Sequence, residues 1–586
     1  MIPDLISAAA QAHPDRAAVV APSGSLSYAQ LDGRSDQVRN ELVRRGVPRQ
    51  SVVGLHLPRG LDLVVALVAV LKAGCAYLPL DPGYPDRRLS ELAGRADASA
   101  VLSGGGAPPW PDGCTGVGMA EALAAPPSPP VAAGGAGRAG GVAHPDESAY
   151  VLFTSGTTGA PKAVEVTHGN LMHLLRGLET TVWRGLGHAR VAWNASASFD
   201  ASVQQWLRLC RGDTLVLLDE ETRLDPLAMA RYLARHRVTD LDAVPSHLHQ
   251  LLAALAGTGV PLRLLVGGEP LPEALWRELA RLPGVRAWNV YGPTECTVDS
   301  TAAEVTGCRP ELGKPLPDVL CYVLDERFAP VPDGDAGELF IAGPGVARGY
   351  RGMPGRTAAA FAPDPFAADG TRMYRTGDLV RRGESGALEY VRRRDRQMKV
   401  RGHRVEPGEI EAALRDLPQV VDAAVVRPSR GDAAERLIAY VMTTAGASTG
   451  ALRDRLRERL PAHLVPGALV DLPAFPLTPH GKTDYAALAR MPSAPRSGDG
   501  PDGGPDGGLA DPLEAEIAEI WAKVLARPHI GADADFFDLG GDSLCVVRAL
   551  NRCRERFGVR LRPRSLFDNP TLRDFANDVR RTIGPG

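Results

Sequence analysis

Apolar positions along the first 490 residues recur with two periods. Short runs rich in β-branched residues, VVGLHL at 52–57, TLVLL at 214–218, LRLLVGG at 262–268 and ELFIAG at 338–343, have the length of strands. Between them lie stretches with apolar residues three and four apart, such as SHLHQLLAALA at 246–256, which predict amphipathic helices. Strands alternating with helices over several hundred residues predict an α/β architecture with sizeable sheets. The run LVVALVAVL at 63–71 is apolar on every face, ends at Lys72 and is too short to span a bilayer, so it predicts a core helix. After residue 510 only the helical period remains. In DPLEAEIAEIWAKVLA, Leu513, Ile517, Ile520, Trp521 and Val524 share one helix face, and a second helix begins near Ser543.

Two stretches carry neither period. Residues 103–147, rich in Gly, Ala and Pro, read as a long surface loop inside the larger domain. Residues 491–509, MPSAPRSGDGPDGGPDGGL, read as a flexible tether between domains.

Composition narrows the function classes. A length of 586 residues exceeds one ordinary core and predicts several domains. A net charge of −3 supplies no basic field for nucleic acid. The 8 cysteines are scattered without a CxxC pair, which reads as reduced thiols and neither a disulfide framework nor a zinc site. The start, MIPDLISAAAQAHPD, has no basic segment of a signal peptide. A cytoplasmic protein with no nucleic-acid or membrane partner is the expectation.

Candidate chemistry begins at Tyr150–Val164, YVLFTSGTTGAPKAV. The order is strand, then a Gly/Ser/Thr loop, then a turn at Pro161. Backbone N–H groups freed by glycines, the hydroxyls and the charge of Lys162 can together cradle phosphate oxygens. The Walker spacing is missing. Lysine is scarce beside arginine, and Lys162, Lys399 and Lys482 each sit in a glycine-bearing loop, where a compact point charge is useful.

Further motifs follow in a set order: LSYAQL (26–31), LKAGCAYLPLD (71–81), FDAS (199–202), NVYGPTE (289–295), GELFIAGPGVARGY (337–350) and YRTGDL (374–379). After them come RRRDRQMKVRGHRVEPGEIE (392–411), LPAHLVP (460–466), PHGKTD (479–484) and DFFDLGGDSL (535–544). Together they resemble the adenylation domains of nonribosomal peptide synthetases, adenylate-forming enzymes, followed by a peptidyl carrier domain. The resemblance implies a large α/β N-terminal subdomain (1–394), a small mobile α+β C-terminal subdomain (395–490), a linker (491–510) and an all-α four-helix carrier domain (511–586). It implies ATP, Mg²⁺ and 4'-phosphopantetheine as cofactors, and an amino acid activated as its adenylate and loaded as a thioester.

Residue by residue, the resemblance puts Thr154, Ser155, Gly156, Thr157, Thr158, Gly159 and Lys162 around the ATP phosphates. Asn289 and Tyr291 hold adenine, Thr294 touches the α-phosphate, Glu295 binds Mg²⁺, Asp378 takes the ribose hydroxyls, and Arg393 joins the nucleotide set. Lys482 is the catalytic lysine of adenylation, bridging two mutually repelling anions. Asp395 is the hinge about which the 396–405 loop, with Lys399, replaces Lys482 for thioester formation. Ser543 carries the phosphopantetheine. Three positions depart from the family pattern: Ala163 and Arg392 stand where glycine is usual, and His480 where asparagine is.

The amino acid pocket implied by the resemblance is Asp200, Ala201, Gln204, Asp242, Leu265, Gly267, Val290, Val298 and Asp299, with Lys482. Asp200 pairs with the α-ammonium group. A terminal amide satisfies the remaining polar set, its NH₂ donating to Asp242 or Asp299 and its oxygen accepting from Gln204, so L-glutamine is the expected substrate. Glutamate or another polar amino acid, a relative of the acyl-CoA ligases, and a carrier scaffold with a silent adenylation domain are the alternatives. The expected partners are a phosphopantetheinyl transferase and a downstream synthetase or tailoring enzyme in trans, in antibiotic-type secondary metabolism. A small MbtH-like helper is also compatible with the resemblance.

Overall fold

The structure is a computed structural model and describes residues 1–586 apart from 106–107, 125–143, 157–158, 256–260, 368, 401, 429–436, 445–446, 479, 481, 492–510, 526, 528, 538, 540, 542, 560, 562–564, 567–568 and 584–586. The side chains at 224, 249–250, 543–544 and 547 are likewise outside the description. The chain divides into two compact units: Met1–Asp219 with Pro226–Glu406, and Glu220–Asp225 with Pro407–Gly586.

The first unit is built on two large sheets. One has nine strands among the described residues, with Val285–Tyr291, Leu262–Val266, Asp240–Ala243, Arg190–Trp193, Thr214–Leu217 and Ala17–Ala21 parallel and adjacent in that order. The other has seven, centred on Ser148–Thr154, Ala76–Pro79, Val52–His56 and Ala98–Ser103. Every residue of Val52–His56, Ala76–Pro79 and Thr214–Leu217 is buried, because both sheet faces are covered; this is why these strands read as unbroken apolar runs. The predicted core helix is Leu61–Lys72, buried continuously from Leu63 to Leu71. The helix expected at 246–256 is Pro245–Leu255.

The opening motif forms an antiparallel pair, Ser148–Thr154 with Lys162–Thr167, whose register sets Thr154 opposite Lys162 across the intervening loop. A third sheet joins Leu320–Leu324, Ala336–Ala342, Arg372–Arg382, Phe361–Pro363 and Leu388–Arg393. A small hairpin, Met398–Val400 with His403–Val405, follows it.

One expectation is corrected. Residues 103–147 are not a single loop: Thr115–Gly118 adds a parallel strand to the edge of the seven-stranded sheet and Met119–Ala124 is a short helix. The strand is four residues long with two glycines, too short and too poor in apolar residues to show a period. Its surroundings are anchored by Trp110, whose ring meets His56 edge-on at 5.5 Å.

In the second unit, Val420–Val426, Ile438–Thr443 and Ala468–Asp471 make a three-stranded mixed sheet, accompanied by the helices Pro407–Arg415, Thr449–Arg457 and Tyr485–Arg490. Apart from Met491, the residues expected to form the tether lie outside the described residues. Beyond them, the helices Pro512–Leu525, Ser543–Phe557 and Leu572–Ile583 enclose a separate core around Trp521 and Phe536. Ile517, Ile520 and Trp521 are buried there, with Leu513 and Val524 packed at its margin, so the amphipathic face lies where the sequence puts it. Among the described residues, no helix is long and apolar enough to cross a membrane.

Candidate active site

Three adjacent parallel strands, Asp240–Ala243, Leu262–Val266 and Val285–Tyr291, bring their carboxyl ends side by side, where sheets of this kind place their ligands. The last of them runs through Gly292 and Pro293 into a single 3₁₀ turn, Thr294–Cys296. Thr297 and Val298 then take positive φ values of 61° and 69°. For β-branched residues that conformation costs ~1–3 kcal/mol, and it persists here because both side chains are packed in the interior. The strained turn sets Glu295 in the core and Thr294 Oγ1 at 2.5 Å from Asp200 Oδ2.

Glu295 is the centre of the end expected to take the phosphates. It accepts from the Tyr350 hydroxyl at 2.7 Å and from Arg404 Nη1 at 2.8 and 3.1 Å. Burial alone would raise its pKa, but Arg404 and Lys162 outweigh it and hold the carboxyl down to about 2. Lys162 lies over the Tyr350 ring, with Nζ 3.6 Å from Glu406 Oε1; its own pKa is lowered, chiefly by burial and then by Arg404. Ser155 Oγ donates to the Arg404 carbonyl at 2.8 Å and accepts from the Glu406 N–H at 3.1 Å. At Gly156 an added Cβ would lie 1.8 Å from the Ala160 carbonyl oxygen, so the loop closes only with glycine. Thr154 Oγ1 is buried without a hydrogen-bond partner. Thr157 and Thr158 lie outside the described residues.

This donor set fits the groups that the sequence implies. An ionised, buried carboxylate already facing a guanidinium suits a hard cation such as Mg²⁺. Among the described residues no cluster of three His, Cys, Asp or Glu could hold a metal alone, so the triphosphate would complete its coordination.

At the nucleoside end, Asp378 accepts from the Tyr291 hydroxyl at 2.6 Å and from Arg393 Nη1 at 3.0 Å. Arg393 also pairs with Asp395 at 2.8 Å. Asn289 is buried, and its Nδ2 donates to the Glu311 carbonyl at 2.6 Å.

The amino acid end is carboxylate-rich. Asp200 immediately precedes the helix Ala201–Trp206, and Gln204 on that helix donates through Nε2 to Asp242 Oδ2 at 2.8 Å. Leu265, Val290 and Val298 are buried, and Gly267 follows the strand that carries Leu265. Desolvation raises the pKa of all three carboxyls. Asp242 reaches about 7 despite the amide donors of Gln204 and Gln205, while Asp299, which feels both Asp242 and Asp200, rises well above its ordinary value. Asp200 is raised by desolvation too, opposed by Thr294 and Lys399. The expected geometry is corrected in one respect. One N–H of the Gln204 amide is taken by Asp242 and its Oε1 is without a partner, so this side chain offers a substrate an acceptor as well as the donor expected from the sequence.

The 396–405 segment supplies what the motif reading missed. The Gly402 N–H donates to Glu269 Oε1 at 2.6 Å, and His403 meets Phe199 edge-on at 4.3 Å. Arg404 covers Glu295, and Gln397 Oε1 accepts from both Arg393 and Arg404 at 2.9 Å. Lys399 lies in the field of both Asp200 and Asp378, while burial and Arg404 lower its pKa. Arg404 was hidden among several arginines in one stretch, and Gln205 beside an identical neighbour. Of the positions that depart from the family pattern, Ala163 is buried in a regular strand and Arg392 is exposed opposite Leu379.

Lys482 and Ser543 belong to the second unit. Lys482 is exposed in a tight turn closed by the Leu477–Thr483 bridge, its carbonyl accepting from the Thr478 N–H at 2.7 Å; His480 is exposed in the same turn. Ser543 is the first residue of a 15-residue helix, whose N-terminal N–H groups and dipole favour an attached phosphate.

Residues 6–351 match the AMP-binding enzyme family, 409–482 the AMP-binding enzyme C-terminal domain and 515–579 the phosphopantetheine attachment site. Phosphinothricin tripeptide synthetase PhsB of Streptomyces viridochromogenes is 39% identical over 98% of this chain, which spans 49% of that relative. Syringomycin synthase SyrB1 of Pseudomonas syringae pv. syringae is 34% identical over 99% of this chain and 95% of its own length. The solved structure of holo-PA1221, an NRPS protein containing adenylation and PCP domains bound to a vinylsulfonamide inhibitor, superposes with a TM-score of 0.80 at 29% identity, covering 99% of this chain and 96% of that one. The chain thus spans about half the length of PhsB and nearly all of SyrB1. With its strained Thr294–Val298 turn, buried Glu295 and carrier-type helix at Ser543, the chain belongs to the AMP-binding enzyme family, as an adenylation domain of the nonribosomal peptide synthetase type followed by a carrier domain.

Proposed function

We propose that the chain activates L-glutamine with ATP as glutaminyl-AMP and loads it as a thioester onto its own carrier domain, in cytoplasmic nonribosomal peptide biosynthesis. The observation that carries this reading is the gathering of Ser155, Lys162, Glu295, Asp378 and Asp200 into one buried site, with Lys399 in the field of the two aspartates that bracket it.

Asp200 binds the α-ammonium group and leaves the carboxylate free to attack the α-phosphate, with pyrophosphate as leaving group. The 154–159 loop and Lys162 hold the departing phosphates, Asp378 with Arg393 the ribose, and Tyr291 with Asn289 the adenine. Glu295 would hold Mg²⁺, which neutralises charge on the triphosphate. Lys482, brought up by rotation about Asp395 within the boundaries 1–394 and 395–490, offsets the repulsion between the two reacting anions. The segment bearing Lys399 then serves thioester formation. A phosphopantetheine arm on Ser543, added by a phosphopantetheinyl transferase, supplies the accepting thiol. A downstream synthetase or tailoring enzyme takes the product.

The pocket supports an amide over a carboxylate. An amide NH₂ donates to Asp242 or to the unpartnered Gln204 Oε1, whereas a glutamate carboxylate brings no donor to that buried oxygen. ATP–pyrophosphate exchange across the amino acids, followed by intact mass of the carrier, tests the reading. Glutamine is expected to give the highest exchange, and Lys482→Ala to lower it by ~100- to 1000-fold. Exchange highest with an aryl or fatty acid, or an undiminished rate in the variant, would overturn the proposal.

A further inference from the structure

Behind the amino acid end, four side chains form a closed hydrogen-bond network. Gln205, 1% exposed, donates through Nε2 to Asn194 Oδ1 at 2.9 Å and to Asp242 Oδ2 at 3.0 Å, while its Oε1 accepts from the Ala195 N–H at 3.2 Å. Asn194 Nδ2 donates to the Asp242 carbonyl at 2.8 Å. Each amide therefore has a single orientation in which its donors meet acceptors. Asp242 Oδ2, gripped by Gln205, receives the Gln204 NH₂ as well.

The consequence falls on Gln204. With one N–H bound to Asp242, the amide is held so that its Oε1 is buried and has no donor; Asp299 Oδ2 is buried and without a donor too. A buried acceptor left unpaired is unfavourable, and a ligand that donates to it recovers the difference. Two such acceptors match the two N–H groups of a primary amide. A carboxylate of the same shape brings no donor to Gln204 Oε1.

We propose that Gln205, backed by Asn194, is a positioning residue for substrate selection: by pinning Asp242 it fixes the orientation of the Gln204 amide, so that the unpartnered oxygen of Gln204 is held for a donor on the substrate. This rests on the glutamine reading above and extends it to two residues that line no part of the expected pocket.

The test uses the full chain in ATP–pyrophosphate exchange, with KM and kcat determined for glutamine, glutamate and ATP. Gln205→Met keeps the length of the side chain and removes its donor. With one hydrogen bond's worth of orientation lost, the KM for glutamine is expected to rise ~10-fold and the glutamine-to-glutamate ratio of kcat/KM to fall by about as much. The glutamine kcat and the KM for ATP stay close to the parent's. Asn194→Ser, at a less buried position, shifts the ratio in the same direction by a smaller factor, and decides the matter should Gln205→Met fail to fold. Variants that keep the parent's ratio, or raise the KM for glutamine and ATP together, assign Gln205 to packing and overturn the positioning role. A parent that does not exchange with glutamine overturns the substrate reading instead.

Discussion

His168 is fully buried at the head of the helix His168–Thr180, and neither ring nitrogen has a hydrogen-bond partner. Burial pushes its pKa down from 6.5 to about 4. A base whose folded pKa is depressed takes its proton first in the unfolded chain. The stability it contributes is therefore complete above pH ~6.5 and is lost as the pH falls toward ~4, by up to ~3 kcal/mol. His168→Leu removes that titration while filling the space. Its unfolding midpoint is expected to fall less than the parent's between pH 7.5 and pH 5; equal falls would show that His168 does not set the acid limb. Such residues are invisible in sequence, since a histidine beside Thr167 could as well be an exposed helix start. Asp200, Glu295 and Asp378 are singled out by the sequence because each sits in a specific motif. The unpartnered oxygen of Gln204 is not visible there, because it depends on Asp242 and Gln205, which lie on different elements.

The hairpin Met398–Val405 shows how an element can be recognised and its placement still be unknown. The resemblance singles out its motif, but nothing in QMKVRGHRV says that Arg404, rather than a neighbouring arginine, covers Glu295. Gly402 makes the seat possible. Its φ is 77°, its N–H bonds Glu269, and an added Cβ would stand 2.6 Å from Val244 Cγ1. Gly402→Ala is therefore expected to lower thioester loading ~10-fold or more, from strain and lost seating of ~1–3 kcal/mol, while exchange changes less than ~3-fold. Single-turnover loading against pyrophosphate exchange separates the two, and an equal loss in both would assign the glycine to general folding. Among regular elements, strands buried on both faces and helices with one apolar stripe were readable from periodicity. Thr115–Gly118 was not, since four residues are too few to carry a period.

At the scale of the whole molecule, the carrier-type helices keep a core of their own, built on Trp521, Phe536, Leu572 and Phe575, with ring centroids of Trp521 and Phe536 4.7 Å apart. Adenylation and loading should therefore be separable by mutation. Ser543→Ala removes the attachment hydroxyl from a helix of ordinary composition. It is expected to leave glutamine-dependent exchange within ~2-fold of the parent and to abolish the mass gain of the carrier, since no nucleophile for phosphopantetheine remains. A mass gain that persists would place the attachment elsewhere.

Local order determined the outline of this protein. Period, glycine placement and motif order suffice to name the alternating α/β region, the helical tail and the chemistry of the phosphate loop, because these depend on neighbours in the chain. Tertiary structure decided the rest: which arginine meets Glu295, why the side-chain oxygen of Gln204 is left unpaired and why burial raises the pKa of Asp242 to about 7. Those properties arise where Asn194, Gln204, Asp242, Glu295 and Arg404, more than 200 residues apart at the extremes, share one poorly solvated space in which each charge and hydrogen bond is set by the others.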